Sequence, residues 1–578
     1  MEESKKFFPA TETMLVHGGM ILTMDETLPE AQALVIKDGR IAAIGTKDEM
    51  SHFAGDDVVE IDVKGNIVLP GLIDTHPHLL HYGTLQEPLV DLSDATSQDD
   101  IVARITSRAA ETEPGEWIMC SPVGEPHYFI RRSYKDLKEG VLPGREVLDK
   151  ATKDHPVMIQ AWAPLTPGIM VFNSMALNLL NITDKTPDRV HNVWVEKDSR
   201  GEPTGLLRGS VTNYYSDDPF NHEIWRHIPF LQNNAMLPGT KRTMADYNRQ
   251  GVTSVYENHM MDPPLIDVYR RLRRDNELRV RVMVAQETES YGMPWSRPRP
   301  MDKFVARLEE ALRAKDMNDD YFRFNGVTLM LDGTCYPGKL RMREPYLGPY
   351  GEMTSGESYT TPEKSEFLIH FCAEKGLRLN IIALGTQAHD DVLDQLERVE
   401  EAFHISSQHW ILVHAFFVTQ DQAERYAALG FDVTTTMSFC WGKGELFRRR
   451  MGDHVLSDLI PLRRLLDAGM RVAGGSDWGP KCAFEQIKLA LTHEFGESGE
   501  RNFGPAQRIN REEALAMLTR DAARVMQWQE IGSLAPGKHA DLIIVDRNPM
   551  KCEIEAISST KVLRTLLGGT TVYDNGAL

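Results

Sequence analysis

Two histidines at a spacing of two, His76 and His78, follow the apolar run Val68-Leu69-Pro70-Gly71-Leu72-Ile73, which reads as a buried strand. Side chains alternate along a strand, so both imidazoles point to one side and can place two nitrogens on one metal ion, with Pro77 stiffening the backbone between them. With 19 histidines in 578 residues this spacing arises somewhere by chance with roughly even odds, so the residues around it carry the argument. A second run ends Val255-Tyr256-Glu257-Asn258-His259, and Val255, Glu257 and His259 share a face if the strand continues. Glu257 or His259 then reaches a metal at the strand's end. Glu257 can bridge two ions there, or it can pair with a cation or hydrogen-bond a ligand histidine from behind.

Such side chains need a rigid frame. From Met244 onward helix and strand patterns alternate, which predicts successive β/α units and a parallel sheet. The predicted strands run from Gly251 to Glu257, Arg279 to Ala285, Arg323 to Leu331, Leu377 to Ala383, Trp410 to His414, Asp432 to Thr436 and Arg471 to Gly474. With the strand ending at His76 they make eight, enough to close a barrel whose chemistry sits at the C-terminal ends of its strands. Helices fit between them, for instance over Asp391 to Glu397 and Gln420 to Leu429. Residues from about Tyr82 to Gln232 interrupt the pattern with a short strand at Val157-Met158-Ile159 and loop-rich stretches, and read as a large insertion after the first barrel strand. Between Met14 and Leu69 short alternating segments are broken by Gly18-Gly19, Asp38-Gly39 and Lys64-Gly65, and Leu34 to Ile44 reads as a hairpin about Asp-Gly. The segment from Gly532 to Tyr573 has the same character, so the two chain ends are expected to pair.

The block Pro70-Gly71-Leu72-Ile73-Asp74-Thr75-His76-Pro77-His78 resembles the first-strand signature of the amidohydrolase superfamily. Ile531-Gly532-Ser533-Leu534-Ala535-Pro536-Gly537-Lys538-His539-Ala540-Asp541-Leu542 resembles that superfamily's C-terminal segment, which returns to a small β-sandwich. Gly115-Glu116-Trp117-Ile118, Phe172-Asn173-Ser174-Met175-Ala176-Leu177 and Pro203-Thr204-Gly205-Leu206-Leu207-Arg208 are similar to amidohydrolase family 3, typified by the YtcJ-like proteins. The resemblance implies a metal-dependent hydrolase on a (β/α)8 TIM barrel. It sets the expected division of the chain: 1–69 with 532–578 as a composite β-sandwich, and 70–531 as the barrel, including the insertion at about 82–240.

By the same resemblance His414 matches the sixth-strand ligand, and Asp477, in Gly475-Ser476-Asp477, matches the aspartate that binds metal and shuttles the proton. Two positions depart from the family: Thr328 stands where a bridging lysine is usual, and Ile382-Ala383-Leu384-Gly385-Thr386 lacks the usual fifth-strand histidine. His389 lies nearby on the following helix, as a substitute ligand or as a residue outside the site. The expected metal ligands are therefore His76, His78, His414 and Asp477, with Glu257 as a fifth, and Asp477 and His414 as the catalytic pair. Imidazole and carboxylate in this mixture suit Zn2+, first as one ion and second as two bridged by Glu257, while iron or manganese would accept the same donors.

The formal net charge of −20 disfavours nucleic acid and anionic membranes as partners. Six cysteines scattered without C-x-x-C pairs disfavour a disulfide framework or a thiolate zinc finger and fit a reducing compartment. No apolar region follows Met1-Glu2-Glu3-Ser4-Lys5-Lys6, and no run reaches the ~18 apolar residues of a membrane span, so a cytoplasmic protein is expected. Tyr291, Met293, Trp295, Cys335, Tyr336, Phe439, Trp441 and Trp478 lie in loops beyond the strands and would line an aromatic pocket for a small-molecule substrate, or else pack loops against the insertion. The expected reaction is hydrolysis of a non-peptide C–N bond, amide, N-acyl or N-formyl, by a homo-oligomer that the family makes a dimer. The rivals are deamination of a heterocycle, hydrolysis of a lactone or carbamate, and a metal-poor homologue that only binds a small molecule.

Overall fold

Eight parallel strands follow one another around the centre of the molecule: β1 (Leu72–Asp74), β2 (Val252–Glu257), β3 (Arg281–Glu287), β4 (Phe322–Met330), β5 (Leu379–Ile382), β6 (Ile411–Val413), β7 (Asp432–Thr435) and β8 (Val472–Gly474). The computed structural model describes residues 7–55, 57–83, 89–124, 131–161, 167–212, 218–229, 233–289, 298–315, 317–334, 336–478, 482–502 and 504–578. Neighbouring strands pair in chain order, with Ile73 beside Ser254, Val255 beside Val282, Leu329 beside Ile381 and Thr434 beside Ala473. These strands are buried almost throughout, which is why their sequences run apolar on both faces instead of alternating. At the seam between β8 and β1 the Gly474 carbonyl accepts from the backbone N–H and the hydroxyl of Thr75, at 3.1 and 2.9 Å. Below it the carbonyls of Met517 and Leu518 accept from Gly474 and Ile73, each at 2.8 Å. The fold is a (β/α)8 TIM barrel, and every strand expected from the sequence is present within about two residues at each end.

Three helices bear on the site: α1 (Leu79–Gly83) directly after the histidine pair, α2 (Pro263–Arg274) after β2, and α3 (Thr386–Phe403) after β5. Between β1 and β2 the insertion forms its own six-stranded sheet, which includes the expected strand Val157–Ile159. Strands from both chain ends share a further eight-stranded sheet, in which Ile67–Pro70 pairs antiparallel with Leu542–Val545. Its core is aliphatic, built on Val16, Leu34, Ile36, Val68, Leu542 and Ile544, all buried. The expected hairpin is there too, turning through Asp38 and Gly39 with φ of +50° and +71°.

Two buried carboxylates tie these parts together. Asp541, just before Leu542–Val545, accepts from Nε and Nη2 of Arg281 on β3 at 2.6 and 2.9 Å, and from Gly568 N at 2.8 Å. Both side chains are out of water, so removing either partner strands the other charge in the interior. Asp332, past the end of β4, accepts from the backbone N–H of Arg341, Leu384 and Gly385, each at 2.9 Å, and so fixes the turn after β5. Those three donors favour the ionised carboxylate, yet burial outweighs them and pushes the group from 3.8 up to about 7.

Arg281→Met is expected to cost about 3–5 kcal/mol in chemical unfolding, with much of the loss recovered in the double variant Arg281→Met/Asp541→Leu. A double variant no more stable than the single one contradicts the uncompensated-charge account. For Asp332, the native chain keeps a proton between about pH 4 and about pH 7 that the unfolded chain has released, so ionisation costs stability as pH rises through that window. Relative to Asp332→Asn, the wild type is therefore expected to lose stability between about pH 4 and about pH 7.5, measured as the gap between urea midpoints. A gap that stays constant across that range removes the assignment.

Candidate metal centre

β1 stops at Asp74, two residues short of His76, so strand alternation does not place the histidines. A turn does: His78 has φ of +48°, and the rings of His76 and His78 meet with centroids 4.9 Å apart and planes at 86°. Asp74 holds this turn against the loop after β8. Its Oδ1 accepts from His76 N and Ser476 N at 3.1 and 3.0 Å, and its Oδ2 from Ser476 Oγ at 2.5 Å. The backbone N–H of Asp477 then donates to the His76 carbonyl at 2.8 Å. Gly475 makes this approach feasible, because a Cβ there would lie 2.7 Å from His76 Cβ.

The ends of β6 and β8 complete the cluster. His414 follows β6 with φ of +68°, and Asp477 lies beyond β8 with φ of +47°. One donor atom from each of His76, His414 and Asp477 falls within 4.8 Å of the others. The His76 and His414 ring centroids are 4.5 Å apart, and Oδ1 of Asp477 lies 3.2 Å from Nε2 of His78 and 3.9 Å from Nε2 of His76. All four side chains are buried. Burial, reinforced in each by neighbouring imidazoles, holds the three histidines well below the ordinary imidazole range, so they are neutral. Burial also pushes Asp477 up to about 6, against the opposing pull of His76 and His259.

Both nitrogens of His76, Nδ1 of His78, Nδ1 of His414 and Oδ1 of Asp477 have no hydrogen-bond partner among the described residues. Buried polar atoms left this way are costly, and neutral imidazoles converging with a carboxylate are the donor set of a divalent metal. The residues present therefore fit such an ion.

Glu257, expected as a fifth ligand, makes other contacts through its Oε1. Tyr256 points across the barrel, its hydroxyl 2.7 Å from Oδ1 of Asn380 on β5, so Glu257 faces outward. Its Oε1 accepts from Leu80 N in α1 at 3.1 Å and from the Tyr269 hydroxyl in α2 at 2.5 Å, and burial pushes the carboxyl up to about 7. It braces the helix behind the histidine pair. His259 lies past the strand's end, where alternation no longer applies, and its ring comes within 5.4 Å of His78 and 5.9 Å of His76. Thr328 donates to the Asn258 carbonyl from the position where the family usually carries a lysine. His389 on α3 has both nitrogens engaged, with the Tyr426 hydroxyl at 3.1 Å and the Phe416 carbonyl at 2.8 Å, so it is a core residue.

Of the aromatic loop residues, Trp478 stacks on His78 at 4.9 Å and Phe439 packs edge-on to His414 at 5.5 Å. Tyr336 lies under Lys443 and Trp441 under Arg131. Tyr291, Met293, Trp295 and Cys335 fall outside the described residues. Three residues at the site escaped the sequence reading. Asp74 sits inside the histidine motif but reads as one more strand residue. His81 joins the rings from α1, 5.8 Å from His78. Glu287 ends a strand that runs two residues past the expected Ala285, and its polar end reads as loop.

A family model described as amidohydrolase family matches residues 59–573. The N-substituted formamide deformylase of Arthrobacter pascens is 26% identical over 573 residues, 97% of this chain and 98% of that protein. YtcJ of Bacillus subtilis (strain 168) is 22% identical over 573 residues, 96% of this chain and 99% of its own. The crystal structure of an uncharacterized metal-dependent hydrolase from Pyrococcus horikoshii OT3 superposes with a TM-score of 0.70 at 22% identity, covering 94% of this chain and 99% of that one, and shows the same fold. The chain thus belongs to the amidohydrolase family, as a hydrolase of carbon–nitrogen bonds other than peptide bonds.

Proposed function

We propose that this protein hydrolyses an amide, N-acyl or N-formyl bond of a small apolar or aromatic molecule, with His76, His78, His414 and Asp477 holding one zinc ion. The observation that carries the reading is the convergence of these buried imidazoles and one carboxylate at the C-terminal ends of β1, β6 and β8, where a barrel of this kind places its chemistry. When bound, the ion would supply Lewis acidity toward the scissile carbonyl and lower the pKa of a water toward ~7.

The chain's own groups handle the proton and the charge. Asp477, with its basicity raised by burial, accepts the proton of the attacking water at its carboxylate and returns it to the leaving nitrogen. The backbone bond from Asp477 to His76 and the Asp74–Ser476 contacts hold that carboxylate in place through both transfers. To His414, held neutral by burial, or a neighbouring donor we assign stabilisation of the developing oxyanion. Trp478 and Phe439 add aromatic surface against the ligand rings, which supports an apolar or aryl substrate. The formamide specificity in the Arthrobacter relative's name supports the N-formyl case.

Among the described residues no helix is long and apolar enough to cross a membrane. The described cysteines Cys120, Cys372, Cys440, Cys482 and Cys552 are all unbridged, which supports a cytoplasmic setting.

Purified protein is expected to carry about one zinc per chain by elemental analysis and to cleave N-formyl or N-acyl arylamines, with chelation abolishing turnover. Asp477→Asn is expected to lower kcat by about 10²–10⁴-fold. Full turnover in that variant removes the assigned base. Wild-type protein devoid of transition metal after loading favours the binding-only reading instead.

A further inference from the structure

We propose that His259, on the turn after β2, is a further imidazole ligand of this centre, aligned for that role by Glu287 at the end of β3. The proposal rests on the reading of His76, His78, His414 and Asp477 as the ligand set, and it assigns to β2 the ligand that Glu257 does not supply.

Nδ1 of His259 lies 2.9 Å from Oε2 of Glu287. A carboxylate can only accept, so this bond puts the ring proton on Nδ1 and leaves the in-plane lone pair on Nε2, the nitrogen at the ring's opposite edge. The same Oε2 accepts from the backbone N–H of Met260 at 2.7 Å, so one carboxylate fixes both the ring and the turn that carries it. Met260 has φ of +57°, a conformation that this clamp sustains. At the preceding residue, Asn258 Nδ2 donates to the Thr75 carbonyl at 2.9 Å, and Thr328 Oγ1 donates to the Asn258 carbonyl. The turn bearing His259 is thus tied to β1, β3 and β4.

These ties place the imidazole beside the two rings on the turn after β1, at centroid separations of 5.4 Å from His78 and 5.9 Å from His76. The His259 side chain is 3% exposed and that of Glu287 is fully buried. A buried carboxylate bound to one nitrogen of a histidine whose ring packs beside other imidazoles is the arrangement that orients metal-ligating histidines and raises their basicity. A pair serving only the core would have no need to face three neutral imidazoles and a carboxylate.

The test uses the full chain, stripped and reloaded with Zn2+ or Co2+, and measures metal affinity by competition with a chromophoric chelator together with the visible spectrum of the cobalt form. Glu287→Ala is expected to weaken metal binding by about 10–100-fold, and His259→Ala by at least as much, with displaced cobalt bands in both. Glu287→Gln, which keeps an acceptor for Nδ1, is expected to retain more affinity than Glu287→Ala. His259→Gln checks that any loss in the alanine variant is not a packing defect, and is expected to weaken binding as well. Unchanged affinity and spectrum in the His259 and Glu287 variants, with metal bound normally by the wild type, overturns the His259 assignment and leaves the four-ligand reading standing. Failure of the wild type itself to bind metal overturns both.

Discussion

Asp74 is the carboxylate on which the mouth of this barrel depends. Its two oxygens take three donors, His76 N from its own turn and Ser476 N and Oγ from the loop after the last strand, and so pull the chain's first and last barrel segments into register. The main-chain bond from Asp477 to His76 and the bare backbone of Gly475 complete the joint. Burial pushes the carboxyl up to about 6, so the desolvation outweighs the hydrogen bonds it makes, yet at neutral pH it is ionised and can accept all three. Residues 402 positions apart in the chain meet there. The proposed base and the histidine pair therefore share one rigid support.

The cluster built on that joint is expensive. His78, Met260, His414, Asp477 and Trp478 all have positive φ, a conformation that costs about 1–3 kcal/mol for residues other than glycine and persists only where the surroundings enforce it. Around them several imidazoles are kept neutral by burial and by one another, with ring and carboxylate atoms that no group among the described residues satisfies. A protein of marginal stability does not gather such groups for packing. A bound cation would offset part of these costs, since it can take one donor atom from each ligating side chain.

The barrel was legible in the sequence because its strands are buried on both faces and appear as short apolar runs between amphipathic helices. His76, His78, His414 and Asp477 were legible as polar residues placed just past such runs, together with their resemblance to a known motif. What the sequence hid follows from where strands stop. Alternation put Glu257 and His259 on one face, but β2 ends at Glu257, so the carboxylate turns outward to α1 and α2 while the imidazole swings back over the barrel. β3 runs on through Gln286 and Glu287, polar residues that propensity assigns to loop, and this concealed the carboxylate that orients His259. Asp74 and Asp332 act through backbone N–H groups contributed by distant loops, and no local pattern announces such partners.

The central claim is that side chains from the first, sixth and eighth strands meet around one cation. Diffraction from zinc-loaded crystals at energies above and below the zinc absorption edge tests it most directly. The account predicts an anomalous peak within bonding distance of His76, His78, His414 and Asp477. A map with no peak there, or with the peak bound by other residues, contradicts it.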